Sequence, residues 1–265
     1  MTRRVVSITP FYNETHILEL RLGILENVVD HFYTIEATKT FTGLDKPMLA
    51  KTIKHPKHTV IEIEFPEGLS EWGRENYQRD FILDLSKYND DDIVLINDLD
   101  EIPDPSSLKL LSSLFDPEFS YAFDMIIHQY YLNNQNVGEG VWSKAKACSV
   151  GEYRSKGFNA TSLRLSNNSI HIPKAGWHWT YIGNIEFVKN KIEAFAHTEF
   201  NNDQIKDNLE LNFDNNVDVL GRGFELKLVN IDSDFYPKYL KENKEKFSKY
   251  TVSYTHLTLP TILRV

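Results

Sequence analysis

Residues 93–96 read Ile-Val-Leu-Ile, a continuous apolar run that stops at Asn97-Asp98-Leu99-Asp100-Glu101. A short run without alternation fits a strand buried on both faces, which requires a sheet covered by helices on each side. Signals for such a sheet recur upstream. Val5–Thr9 is β-rich and ends at Pro10, and Phe32–Ile35 is a second strand. Val60, Ile61, Ile63 and Phe65 make a third, stopped by Pro66. Between them, Asn13 is placed to cap a helix carrying Leu18, Leu22 and Leu25. Trp72, Tyr77, Phe81, Ile82 and Leu85 share one face of a helix over residues 70–87. Asp104 caps a helix that has Pro105 at its first position. This alternation predicts an α/β fold with a mostly parallel central sheet flanked by helices.

In open sheets of this type, ligands gather beyond the carboxyl ends of the strands. The polar clusters sit there: Asn13-Glu14 after the first strand, Glu36-Ala37-Thr38 after the second, Asp98-Leu99-Asp100 after the fourth. A spacing of two puts the Asp98 and Asp100 carboxylates on one side of the chain. Two adjacent carboxylates repel unless a cation intervenes, and hard oxygen ligands suit Mg²⁺ or Mn²⁺. Such an ion can hold a diphosphate and neutralise it as it leaves. The competing reading is a strand-to-helix turn with capping aspartates.

Two further clusters carry polar chemistry. In Trp72-Gly73-Arg74-Glu75-Asn76-Tyr77-Gln78-Arg79, Arg74 and Gln78 share a face, as do Glu75 and Arg79. Arg74 suits a phosphate or carboxylate, while Glu75 and Arg79 read as a surface ion pair. Gly176-Trp177-His178-Trp179-Thr180 precedes Phe195-Ala196-His197-Thr198-Glu199. Trp177 and Trp179 offer aromatic faces to an acceptor sugar, or else belong to the core. His178 or His197 would complete a metal site begun by Asp98 and Asp100, or be structural.

The second half is less regular. Phe119–Leu132 reads as one long strand, residues 133–140 as a polar loop and 151–168 as a Gly-, Ser- and Asn-rich stretch. Helices are expected at Asn184–Phe195 and Pro237–Phe247. With no repeat and no linker, residues 1–251 form one domain. Residues 252–265 resemble a translated sequencing-adapter tail and are set apart from functional reasoning; if they are such a tail, the expectation is that the natural C-terminus is missing.

Composition narrows the partners. The net charge of −9 argues against a nucleic-acid-binding protein. No apolar run approaches a membrane span, and the start holds no signal-peptide core. The single Cys148 cannot form an intrachain disulfide and reads as a buried thiol. A cytoplasmic location is the expectation. Lysines 238, 241, 244, 246 and 249 alternate with Glu242 and Glu245, as on a solvated helix rather than a membrane-binding face.

Together, these segments resemble glycosyltransferase family 17, the family of β-1,4-mannosyl-glycoprotein β-1,4-N-acetylglucosaminyltransferase. The resemblance rests on Pro10-Phe11-Tyr12-Asn13-Glu14 with Leu20-Arg21-Leu22, and on Ile35-Glu36-Ala37-Thr38-Lys39-Thr40-Phe41-Thr42-Gly43. It continues through residues 72–79, Asp98-Leu99-Asp100-Glu101-Ile102-Pro103, Ala175-Gly176-Trp177-His178 and residues 195–199. It implies a single GT-A-like, Rossmann-related domain, a UDP-sugar donor such as UDP-N-acetylglucosamine, a Mn²⁺-type metal and inversion at the anomeric carbon. On that basis Asp98 and Asp100 hold metal and diphosphate. Pro10, Asn13, Glu36, Arg74 and Gln78 face the nucleotide sugar. Glu199 is the expected base that deprotonates the acceptor, with Asp124 and Glu101 as alternatives. The chain lacks the anchor and stem of the animal enzymes, so a microbial or viral glycan is the expected acceptor. The rival readings are a metal-dependent phosphohydrolase with Asp98 as nucleophile, and a non-catalytic glycan-binding protein using Trp177 and Trp179.

Overall fold

The computed structural model describes residues 3–252. Apart from Val252, the 252–265 segment set apart above lies outside the described residues. The first half follows the expected alternation: β1 (Val5–Phe11), α1 (Thr15–Leu25), β2 (His31–Ala37), β3 (His58–Ile63), α2 (Glu71–Arg79), β4 (Ile93–Ile96), β5 (Glu101–Pro103) and α3 (Pro105–Leu114). Then come β6 (Tyr121–Phe123), β7 (Met125–Gln129), β8 (Asn134–Asn136), β9 (Val141–Trp142), β10 (Lys146–Ser149), α4 (Val150–Arg154) and α5 (Ala160–Leu165). The chain closes with β11 (Ile170–Ile172), β12 (Gly176–Thr180), α6 (Ile185–Ala194), α7 (Asp203–Asp214), β13 (Leu226–Leu228) and α8 (Lys238–Glu242).

The fold is α/β, and its central sheet has the order β11-β6-β10-β4-β1-β2-β3. Strands β4, β1, β2 and β3 are parallel, while β10 runs antiparallel between β4 and β6. All four residues of β4 are buried, as its unbroken apolar run requires. Its alternate side chains feed two cores. Ile93 and Leu95 join the cluster under α1, α3 and α8, and Val94 and Ile96 the cluster holding Cys148 and Tyr153. Burial pushes the Cys148 thiol above its ordinary pKa, in keeping with a structural thiol.

A second sheet, order β13-β8-β7-β12-β5 with β9 on β7, was not read from the sequence. The expected long strand over residues 119–132 is broken at Asp124. Upstream, β6 belongs to the central sheet; downstream, β7 belongs to the second. Asp124 marks the crossing, its N–H donating to Ile172 and its carbonyl accepting from Ala175. A strand that bends between sheets in this way is a corner. The polar loop expected over residues 133–140 contains β8, and the 151–168 stretch contains α4 and α5. Ser149 and Asn159 cap those two helices.

Helix boundaries differ where polar side chains redirect the chain. Ser70, at the start of the expected helix, caps α2, but the helix ends at Arg79 rather than near Lys87. The Asp80 carboxylate accepts from Asn159 and Thr161, which draws the chain towards α5. Leu83 and Leu85 then pack in the second core without helical geometry. Asn13 does not cap α1; its side-chain amide donates to Asn190 of α6. Asp104 caps α3 as expected, and Asn184, at the start of the expected 184–195 helix, caps α6.

Candidate active site

The loop from Asp98 to Glu101 leaves β4 and enters β5, so it links the two sheets. One buried cation gives it its shape. Arg21 of α1 is 1% exposed and donates to the carbonyls of Asp98, Leu99 and Glu101 at 3.4, 3.3 and 2.7 Å. Its other nitrogen donates to Ser7 Oγ and Asn97 Oδ1. Burial lowers the Arg21 pKa to about 10, so the group stays charged at neutral pH. Glu101 is fully buried. It accepts the Asp98 N–H, both terminal nitrogens of Arg164 at 2.6 and 2.8 Å, and the Trp142 indole N–H. A buried carboxylate is tolerated only with such partners.

Asp98 and Asp100 have separate surroundings. Asp98 accepts from Arg79 Nε at 3.2 Å and from Arg164 Nη2 at 2.9 Å. Burial opposes its charge, but Arg164 and Arg79 overcome that and hold its carboxyl well below the usual range. Asp100 meets Lys191 Nζ at 3.0 Å, and His178 Nε2 lies 3.6 Å from its Oδ1. Lys191 also reaches Glu14 at 2.5 Å. Burial would strip the Lys191 proton, yet Asp100 and Glu14 raise its pKa above the ordinary value. Burial, with Asp100 nearby, pushes Glu14 up despite Lys191.

These groups open into a cleft of about 740 Å³ between the ends of the two sheets, roofed by α6. Seven Lys or Arg side chains line it against five carboxylates. In a chain of net charge −9, that local excess favours an anionic ligand. Pro10, Phe11, Tyr12, Thr40 and Lys46 line the end beside β1 and β2. Gln129, Glu139, Trp142, Thr180 and Arg222 line the end formed by the second sheet.

Of the expected site residues, Pro10, Gln78, Asp98, Asp100, His178 and His197 line this cleft. Gln78 is 3% exposed, and its amide ties the ends of β1 and β2 through the Phe11 and Ile35 carbonyls. Others are committed elsewhere. Glu36 is fully buried, pairs with Lys46 at 2.7 Å and accepts the N–H groups of Leu49 and Ala50. It shapes the wall through Lys46 and does not itself line the cleft, where it was expected to face a nucleotide sugar. Arg74 donates to the Phe41 carbonyl and packs on Gly43, whose φ of +88° admits the turn. Asn13 bonds to α6 as described.

The acceptor-facing tryptophans are a second correction. Trp177 and Trp179 are 2% and 0% exposed, stacked 5.2 Å apart in the main core. β12 is paired on both edges, by β5 and β7, so its alternate residues face opposite sides. His178 and Thr180 take the cleft side. Glu199 sits in an exposed turn, accepts from His197 at 2.6 Å and does not line the cleft. His197 meets Trp72 edge-on and shares no contact with Asp100. Asp124 pairs with Ser143 and His171 outside the cleft. Three cleft cations were missed as ligand-facing groups: Arg79, Arg164 and Lys191. Arg79 makes its expected ion pair with Glu75 at 2.8 Å and also reaches Asp98. The Asn159 cap could have signalled the helix carrying Arg164, in a stretch read only as Gly-, Ser- and Asn-rich, but nothing local signals its contact 63 residues away.

Among the described residues, no three His, Cys, Asp or Glu side chains gather as a metal cage. The donor set still fits a hard divalent ion that arrives with a diphosphate. Such ions commonly use one or two carboxylates and take their other ligands from phosphate and water. Asp100, with His178 beside it, is the cleft-lining pair for that purpose, and the Lys191 ammonium already occupies a cation position on its Oδ2. His197 is outside the set.

Known proteins bear on this arrangement. A Beta-1,4-mannosyl-glycoprotein 4-beta-N-acetylglucosaminyltransferase from Rattus norvegicus is 29% identical over 142 residues, covering 46% of this chain and 26% of that protein. The Homo sapiens protein of the same name gives the same identity and coverage. The chain thus spans about a quarter of the length of these relatives. A solved 4-diphosphocytidyl-2C-methyl-D-erythritol synthase is similar at TM-score 0.41 and 12% identity, covering 65% of this chain and 89% of that one, too low a likeness to bear on function. The profile of glycosyltransferase family 17 matches residues 1–264, from one end of the chain almost to the other. The chain belongs to glycosyltransferase family 17.

Proposed function

We propose that this protein is an inverting glycosyltransferase that moves a sugar, N-acetylglucosamine by the relatives' names, from a UDP-sugar to a glycan hydroxyl. The observation that carries the reading is the cationic cleft at Asp98–Glu101, where Arg79, Arg164 and Lys191 converge on a strand-end acidic loop. Uridine fits the end beside Pro10, Tyr12 and Thr40, and the diphosphate fits over the loop. Arg164 and Arg79 stay charged and present planar donors suited to phosphate oxygens. A divalent cation on Asp100 would supply further neutralisation of the leaving diphosphate. Inversion requires the acceptor hydroxyl on the opposite side of the sugar, which is the second-sheet end. There Glu139, whose one cationic partner among the described residues is the part-exposed Arg222 at 2.8 Å, is the proposed acceptor of the hydroxyl proton, in place of Glu199.

The rivals lose their footing in the geometry. Both Asp98 oxygens are held by guanidinium groups, which speaks against a nucleophilic aspartate. The core position of Trp177 and Trp179 removes the basis for a lectin built on them. No helix among the described residues is long and apolar enough to cross a membrane. A panel of UDP-sugars with Mn²⁺ tests the reading. One donor should raise the melting temperature and be cleaved slowly without acceptor; a panel with neither effect would refute it.

A further inference from the structure

Two tryptophans lie outside β12, Trp72 and Trp142, and Trp142 is distinguished by how it is held. It lies on β9, whose pairing of Val141 with Ile126 and Trp142 with Met125 lays it along the second sheet. Its indole N–H donates to Glu101, the buried carboxylate that also holds Arg164 and the Asp98 N–H. One ring face stacks on His178, with centroids 4.5 Å apart and planes 28° from parallel. His178 in turn stands 3.6 Å from Asp100. The indole is therefore fixed at its polar edge and on one face, and it lines the cleft with what remains.

We infer that Trp142 is the floor of the acceptor subsite, with Glu101 as its positioning residue, and that the ligand is a pyranose presenting its C–H face. This rests on the donor reading above, because it places the acceptor at the end of the cleft away from Pro10 and Tyr12. The chemistry follows from the constraints. An indole whose only donor is spent recognises by its flat apolar surface, and a pyranose face of axial C–H groups matches that surface. Thr180, Lys144 and Glu139 line the same end and suit the equatorial hydroxyls of such a ring. Trp72, the other cleft tryptophan, is 42% exposed on α2 and turns its ring edge-on to His197 at 80°, so it offers no comparable fixed platform. Glu101 joins both halves of the site. The carboxylate that sets the Asp98–Arg164 pair also sets the plane on which the acceptor rests.

The test uses the full chain and four p-nitrophenyl β-glycosides: mannoside, glucoside, galactoside and N-acetylglucosaminide. Each is titrated by ligand-observed NMR at saturating UDP and Mn²⁺, with UDP affinity measured separately. At least one glycoside should bind the wild type. Trp142→Ala should weaken it at least tenfold, Trp142→Phe by no more than about threefold, and neither should change UDP affinity more than about twofold. Phe keeps the flat face without the N–H, so its rescue separates a platform from a merely structural residue. No glycoside binding to a wild type that binds UDP would overturn the inference. So would unchanged glycoside affinity in Trp142→Ala, or equal losses for UDP and glycoside. If the wild type fails to bind UDP, the donor reading fails on its own, and the same glycoside comparison without UDP still decides the platform.

Discussion

Arg164 shows how much of the site depends on one side chain. It is 6% exposed and holds Glu101 with two nitrogens while reaching Asp98 with one of them. Arg164→Gln would leave a fully buried carboxylate without its cation, a change that costs about 3 kcal/mol or more. Urea unfolding should show that loss, and Arg164→Lys should recover only part of it, since one ammonium cannot replace a two-pronged contact. Glu199 makes the opposite case. Its side chain is 55% exposed and paired with His197 in a turn. Glu199→Gln should leave turnover within about twofold of the wild type, as for most surface changes; a collapse in turnover would restore it as the base. At this scale the sequence marked the acidic loop, because Asp98 and Asp100 follow an unmistakable buried strand. It could not mark Arg164 or Lys191, whose partners lie 63 and 91 residues away. It also gave Glu36 to the nucleotide, when Lys46 and two backbone N–H groups already satisfy it.

Among the elements, β12 is the instructive one. Its sequence, Gly-Trp-His-Trp-Thr, was read as a cluster, and the strand is where that cluster belongs. Alternation then divides it: the tryptophans go to the core and His178 and Thr180 to the cleft. A cluster in sequence is not a cluster on one face, and choosing the face needs the neighbouring sheet, which the sequence did not announce. Helix α6 has the same character. Its existence and its start at Asn184 were legible, but its role as roof was not. It is pinned by Asn190 to Tyr12 and Asn13, and by Lys191 to Glu14 and Asp100. His16 of α1 adds a pH-sensitive contact between these elements. Its Nε2 lies 2.8 Å from the Ile182 carbonyl, and its ring stacks on Tyr250 and meets Phe187 of α6 edge-on. Burial, with Lys191 adding to it, lowers its pKa from 6.5 to about 4. Folding therefore favours the neutral ring. Its stabilising effect is complete above pH 6.5 and is lost as pH falls towards 4, to a limit of roughly 3 kcal/mol. Chemical unfolding measured from pH 7 to 4 should show a loss that His16→Gln diminishes. An identical pH profile in the variant would place the titration elsewhere.

For the whole molecule, the decisive feature is the meeting of two sheets. The parallel half of the central sheet was legible because buried strands and capped helices alternate in the first half of the chain. The second sheet was not, because its strands are mostly two to five residues long and one hides in an apparently continuous run from Phe119 to Leu132. Asp124, at the corner, is the residue that turns one apparent strand into two. This architecture gives each end of the cleft its own lining, one on β1 and β2, where we propose the nucleotide, and one on β7, β9 and β12, where we propose the acceptor. It also gives an acidic protein a cationic centre. The account stands on the claim that this centre holds a UDP diphosphate together with a metal on Asp100. Calorimetric titration of UDP into the wild type and Asp100→Asn, each with Mn²⁺ and with EDTA, addresses that claim directly. The expected result is binding to the wild type that weakens at least tenfold in EDTA, and a variant that shows the weak affinity in both conditions. UDP affinity that is the same in all four titrations would contradict it.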